Sequence, residues 1–270
     1  MKYRDNKAES EWKFYLLHCG SVDSDPCLFI YKGMRKLGSI SCLEATNTND
    51  SAHDTKLVIL FHGYGADAYD LQTLSDAMPV KAPTTFLFPQ GPLEVPIGPG
   101  WTGRAWWKID VEGLQRAIAS GQERDMPNEY PEGLRTIRPQ IFKMIEQTKT
   151  PWSQIVIGGF SQGAMLATDI FLNAPEAPAG LMILSGALIC QEDWRKAAAK
   201  RQGSRFFQSH GTQDNVLSHK NAQRLETLLT QAGLKGRLQT FGGGHEIPMS
   251  VLQKATVYLD EVFAGGAVRT

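Results

Sequence analysis

The chain has 270 residues, 42% of them hydrophobic and 21% charged, with 28 Lys+Arg against 28 Asp+Glu. That length and apolar content suffice for a core that stands without disulfide or metal staples, and the zero net charge gives no reason to expect nucleic acid or an anionic membrane as a partner. The four cysteines, Cys19, Cys27, Cys42 and Cys190, form neither a C-x-x-C pair nor a zinc-spaced cluster with histidine, so they are expected as reduced thiols with no metal site. The first ten residues are polar and charged without a signal-like apolar segment, and no apolar stretch is long enough to span a bilayer. A soluble, cytoplasmic protein with no stable membrane insertion is the expectation.

From Trp12 to Glu44 short apolar runs, Phe14–Leu17, Leu28–Tyr31 and Ser39–Leu43, are punctuated by Gly20, Gly33 and Gly38. They predict antiparallel strands joined by turns, and the polar stretch from Asn47 to Asp54 predicts a loop. The rhythm then changes. Leu57–Phe61, Thr85–Phe88, Ile155–Ile157 and Leu181–Leu184 are continuous apolar runs, the pattern of strands buried on both faces. Arg205–Gln208 and Arg237–Phe241 are weaker members of the same series.

Helical spacing fills the gaps at Tyr69–Ala77, Pro131–Gln147 (with a kink expected at Pro139), Ala164–Leu172, Lys220–Gln231 and Met249–Phe263. Strands alternating with helices predict an α/β fold with a mostly parallel sheet and right-handed crossovers. One unit is expected over 1–270, with N-terminal strands and a loop at 1–56. The exception is 91–131, rich in Pro, Gly and Trp around a short helical stretch near Val111–Ser120. It predicts an irregular, lid-like insertion on the side where open α/β sheets bind ligands.

Gly159-Phe160-Ser161-Gln162-Gly163 stands between an apolar strand and a helix. G-x-S-x-G at such a junction pushes the serine out on a tight turn, its hydroxyl exposed above the sheet. A side chain at Gly159 or Gly163 is expected to collide with the neighbouring strand or helix. A serine hydroxyl needs a base to take its proton, and that base needs an orienting acid. Asp214 directly follows the candidate strand Arg205–Gln208, and His245 directly follows Arg237–Phe241. Both therefore fall at the strand ends where the serine turn must lie, in the chain order Ser, Asp, His of one hydrolase class. Each has a plainer reading as well: a tight turn for Ser161, a turn residue for Asp214 and a structural histidine for His245. Among the others, His210 is read as support for the acid loop, and His219 as exposed or capping.

Oxyanion donors are expected from the backbone N–H groups of Gln162, just after the serine, and of Tyr64, in Phe61-His62-Gly63-Tyr64-Gly65 after the first parallel strand. His62 is read as a buried ring bonded to that loop. Trp106 and Trp107 have two readings, as walls of a substrate pocket or as packed anchors of the irregular segment. Trp101 is read as packing or lid, and Met165 and Leu166 as core.

The segments F-H-G-Y-G-A-D at 61–67, A-W-W at 105–107, G-G-F-S-Q-G-A at 158–164, H-G-T-Q-D at 210–214 and G-G-G-H-E-I at 242–247 together resemble the phospholipase/carboxylesterase family of α/β hydrolases. That family includes small carboxylesterases and acyl-protein thioesterases. The resemblance implies an α/β-hydrolase fold and a serine hydrolase with Ser161 as nucleophile, His245 as base and Asp214 as its acid. It also implies oxyanion donors at Tyr64 and Gln162, no cofactor, and a small ester or acyl compound as substrate. Val216-Leu217-Ser218 after Asn215 lacks the proline that family members often carry there. Hydrolysis of carboxylic esters leads the reading. Thioester hydrolysis follows, then amide hydrolysis, with a non-catalytic binding scaffold as the competitor from outside catalysis.

Overall fold

The computed structural model describes residues 29–48, 55–120 and 126–265. In chain order the elements are β1 (Ile30–Leu37), β2 (Ile40–Thr46), β3 (Lys56–Phe61), α1 (Leu74–Ala77), β4 (Thr84–Pro89), β5 (Leu93–Gly98), β6 (Trp101–Ala105), α2 (Val111–Ser120), α3 (Glu132–Thr148), β7 (Ile155–Phe160), α4 (Gln162–Asn173), β8 (Gly180–Leu184), α5 (Gln191–Ala198), β9 (Phe206–Gly211), α6 (His219–Gln231), β10 (Leu238–Phe241) and α7 (Met249–Phe263). The run Phe14–Leu17, with Cys19 and Cys27, lies outside the described residues.

All six apolar runs expected as parallel strands enter one eight-stranded sheet, in the order β1-β2-β4-β3-β7-β8-β9-β10. From β4 to β10 the pairings are parallel. β1 and β2 extend the β4 side in antiparallel fashion. The continuous apolar character of the parallel strands follows from burial on both faces. Leu57, Ile59, Phe61, Ile155, Ile157, Leu181 and Ile183 pack into one core with α3, α4, α5 and α6. The alternate residues Val58, Leu60, Val156, Met182 and Leu184 pack into a second core with α7. Successive strand side chains point to opposite faces, so the two helical layers divide each run residue by residue.

Strand register gathers the candidate residues. Phe61 pairs with Gly159, Phe160 with Leu184, Leu184 with Ser209, and Gly211 with Phe241. The loops after β3, β7, β8, β9 and β10 therefore leave the sheet along one carboxyl edge. Among the described residues no helix is long and apolar enough to cross a membrane.

Several local expectations needed correction. Gly33 is not a turn; it lies inside β1, at an irregularity in the pairing between Lys32 and Arg35. The expected helix at Tyr69–Ala77 shrinks to α1, because residues 67–74 form successive turns with i→i−3 bonds such as Asp70 N–H to Asp67 O and Leu74 N–H to Leu71 O. Helix α3 continues across Pro139, which sits on its exposed side. The 91–131 segment is not wholly irregular, since β5 and β6 pair as an antiparallel hairpin.

Candidate active site

Strand β7 turns into helix α4 at Ser161, which holds φ 56° and ψ −120°. A non-glycine residue with positive φ is strained and needs surroundings that enforce it. Those surroundings are backbone. Ser161 N–H donates to Leu184 O at 3.0 Å, and Ser161 O accepts from Ala164 N at 3.0 Å. A Cβ added at Gly163 would lie 2.0 Å from Phe61 O, and one at Gly159 would lie 2.5 Å from the Gly163 carbonyl carbon. The two glycines let strand and helix approach closely enough to form this tight turn at the serine. Met165 and Leu166, one turn on, are buried core, as expected.

The acid and the histidine arrive on two loops locked to each other. Thr212 N–H donates to Phe241 O and Gln213 N–H to Gly243 O, both at 2.9 Å. His245 Nδ1 then lies 2.7 Å from Asp214 Oδ2. Asp214 Oδ1 accepts the Val216 and Leu217 N–H groups at 2.9 Å each. Burial by itself would raise the Asp214 pKa. The bonds from His210 and His245, the charge of His245 and the Leu217 N–H outweigh that and hold the carboxyl well below its usual range. It therefore stays ionised beside the ring. The His245 ring stands on Phe160, centroids 4.7 Å apart and tilted 42°, which sets it against the residue preceding the serine. Ser185 Oγ, at the end of β8, reaches Glu246 O at 3.4 Å and ties the histidine loop to the strand beside β7.

The loop after β3 closes the other side. Gly63 abuts the serine: a Cβ there would lie 3.4 Å from Ser161 Cβ. Gly65 N–H donates to Arg104 O and Arg104 N–H to Ala66 O, both at 2.8 Å, so β6 grips this loop almost as a third strand. Among the described residues the N–H groups of Tyr64 and Gln162 are not used in backbone pairing. Gln162 begins α4, where helix N–H groups lack intrahelical partners and carry the positive end of the dipole.

His62 is the buried loop histidine expected. Its Nε2 accepts the Gly91 N–H at 2.9 Å, and its Nδ1 lies 2.7 Å from Gly63 O. Burial pushes its pKa down to about 4, so the ring is neutral near pH 7. Trp106 and Trp107 are only 1% and 3% exposed. Trp106 Nε1 donates to His62 O at 2.9 Å, and its ring meets Phe61 edge-on. These contacts anchor Trp106 against the end of β3 and the loop that follows it. Trp101, by contrast, is 72% exposed at the hairpin tip.

Two contributors were missed in the sequence, and a third was read only in part. The Gln162 side chain receives the Trp106 N–H at 3.0 Å and donates to Trp107 O at 2.8 Å, clamping the hairpin's exit to the serine turn. Gly103, where an added Cβ would lie 1.9 Å from Gly65 O, lets β6 approach the loop. His210 was read as loop support, but its position against the acid was not foreseen: Nε2 lies 3.1 Å from Asp214 Oδ2. Among the described residues no group of three or more His, Cys, Asp or Glu gathers to hold a metal ion.

A parallel sheet between two helical layers, with a strained serine at one strand end and an Asp–His pair at two others, defines an α/β hydrolase. The sequence profile of the phospholipase/carboxylesterase family matches residues 44–263, and the chain belongs to that family of hydrolases. It is 29% identical over 210 residues to acyl-protein thioesterase 1 of Eremothecium gossypii, covering 74% of this chain and 85% of that protein. To acyl-protein thioesterase 1 of Candida albicans it is 26% identical over 215 residues, 76% of this chain and 90% of that one. Among solved structures, esterase PE8 superposes with a TM-score of 0.62 at 27% identity, over 77% of this chain and 92% of its own. Acyl-protein thioesterase 2 of Zea mays superposes with a TM-score of 0.61 at 18% identity, over 82% of this chain and 98% of its own, a likeness of fold.

Proposed function

We propose that this protein hydrolyses carboxylic esters through a covalent acyl-enzyme formed on Ser161. His245 takes the proton of the Ser161 hydroxyl as its oxygen attacks the acyl carbonyl. The N–H groups of Tyr64 and Gln162 stabilise the resulting oxyanion. Collapse of the tetrahedral adduct breaks the ester C–O bond, and His245 returns the proton to the departing alcohol. Water then attacks the acyl-serine with His245 again as base, releasing the acid and restoring the serine. Asp214 stays ionised throughout, orients the ring and stabilises its charged form. The β5–β6 hairpin frames the mouth of this single hydrolase unit.

What supports the reading most is the 2.7 Å Asp214–His245 bond together with the strained turn at Ser161. A second reading, thioester hydrolysis, is favoured by the names of the curated relatives, acyl-protein thioesterases. The same groups serve both, since a thiolate leaves more readily than an alkoxide. Turnover of acyl-matched oxygen and sulfur esters by the wild type and by Ser161→Ala is the test. Preference for the oxygen ester, lost in Ser161→Ala, supports the leading reading. Preference for the sulfur ester supports the second. Full turnover by Ser161→Ala overturns both.

A further inference from the structure

The strand leading into the acid loop carries a histidine that the proposed reaction leaves without a part. His210 is the fifth residue of β9 and is fully buried. Its Nε2 lies 2.7 Å from Leu217 O and 3.1 Å from Asp214 Oδ2. Both neighbours are acceptors, so the proton of a neutral ring belongs on Nε2. His210 Nδ1 is buried and has no hydrogen-bond partner among the described residues.

These contacts close a circuit around the carboxylate. Leu217 donates its N–H to Asp214 Oδ1 and offers its carbonyl to His210. His210 in turn holds its N–H beside Oδ2, the oxygen that faces His245 Nδ1 at 2.7 Å. The other titratable groups around the cluster are His219, whose ring stands at 6.1 Å and 64° to His210, and Glu246. The Glu246 carboxylate turns back onto the Gly244 N–H at 3.3 Å.

We propose that His210 is a positioning residue of the hydrolytic site, whose neutral Nε2–H, held between Leu217 O and Asp214 Oδ2, fixes the carboxylate and moderates its pull on His245. The inference rests on the hydrolase reading above. Without that N–H, the negative charge on Oδ2 is concentrated on the His245 ring. The protonated, inactive form of the base is then favoured, and the acid limb of the kcat/KM profile moves to higher pH. A purely structural role would lower stability or overall rate without moving that limb.

The test has two arms. The first compares kcat/KM against pH, on a p-nitrophenyl ester, for the wild type, His210→Phe and His210→Gln. Phe keeps bulk and removes the donor, whereas Gln returns an amide N–H near the position of Nε2. The expected result is an acid limb raised by about half a unit to one unit in H210F, with kcat down about tenfold and KM little changed, and a limb restored toward wild type in H210Q. An unmoved limb in a folded H210F overturns the proposal, as does an H210Q indistinguishable from H210F.

The second arm needs no variant: nitrogen-15 NMR of the wild-type histidines reads the His210 tautomer. A proton on Nε2 is expected, and a ring protonated only on Nδ1 overturns the proposal even if H210F does not fold. Failure of the hydrolase reading itself shows separately, as a wild type whose Ser161 does not label with a fluorophosphonate.

Discussion

The two borders of the sheet follow different rules. Along the carboxyl edge, Ser161, Asp214 and the flanking glycines are held by backbone atoms at contact distance, and a single added methyl at Gly163 would fall 2.0 Å from Phe61 O. Along the outer border, β1 exposes nearly every residue, and its polar contacts include ion pairs of half-exposed Lys32 and Arg35 with Glu44, each at 2.7 Å. The first region is specified by close approach, which tolerates no extra volume. The second is specified by charge near water, where single pairs contribute little. Substitutions should therefore be severe on the carboxyl edge and mild on β1.

The largest expected effect is Ser161→Ala, which should lower ester kcat/KM by at least about ten-thousandfold while leaving the melting temperature within a few degrees. Steady-state kinetics and calorimetry on one preparation check both halves. Gly163→Ala should destabilise the fold by about 2–3 kcal/mol through overpacking, read as a lower urea midpoint, and should abolish activity with it. Gly103→Ala presses on the loop carrying Tyr64 rather than on the core. It should cost about ten- to a hundredfold in kcat with a smaller loss of stability.

A pH effect follows from His62. Folded, it takes up its proton only near pH 4, whereas an unfolded histidine does so near 6.5. Between those values the unfolded chain binds more protons, so stability present above about pH 6.5 is lost as pH falls toward 4, with a slope of up to about 1.4 kcal/mol per unit. Asp214, held below its unfolded value, adds loss of the same sign at lower pH. In urea titrations between pH 7 and 5, His62→Gln should flatten this slope. The smallest effect is Lys32→Ala on β1, expected to change stability by less than about 1 kcal/mol. A larger loss there would erase the contrast between the two borders.

Legibility in the sequence followed the same contrast. The parallel strands were readable because burial on both faces forces unbroken apolar runs such as Leu57–Phe61. The serine turn was readable because only glycine fits at 159 and 163, and the paired loops because Asp214 and His245 each directly follow a strand. Helix α5 was not named, since only Trp194 and Ala198 of its eight residues are buried and so short a stripe carries no clear period. The grip of β6 on the Gly65 loop was also hidden. It is a long-range pairing of backbone groups, marked only by a glycine at 103 that resembles any loop glycine. The clamp by the Gln162 side chain likewise depends on one backbone amide and one carbonyl more than fifty positions away.

The central claim is that the Ser161 hydroxyl is activated by the His245–Asp214 pair. Fluorophosphonate labelling of the folded protein, with the modified residue located by mass spectrometry, tests it most directly. One label is predicted, on Ser161, absent in Ser161→Ala and at least about a hundredfold slower in His245→Gln. An unlabelled Ser161 in folded wild type, or labelling as fast without the histidine as with it, would contradict the account.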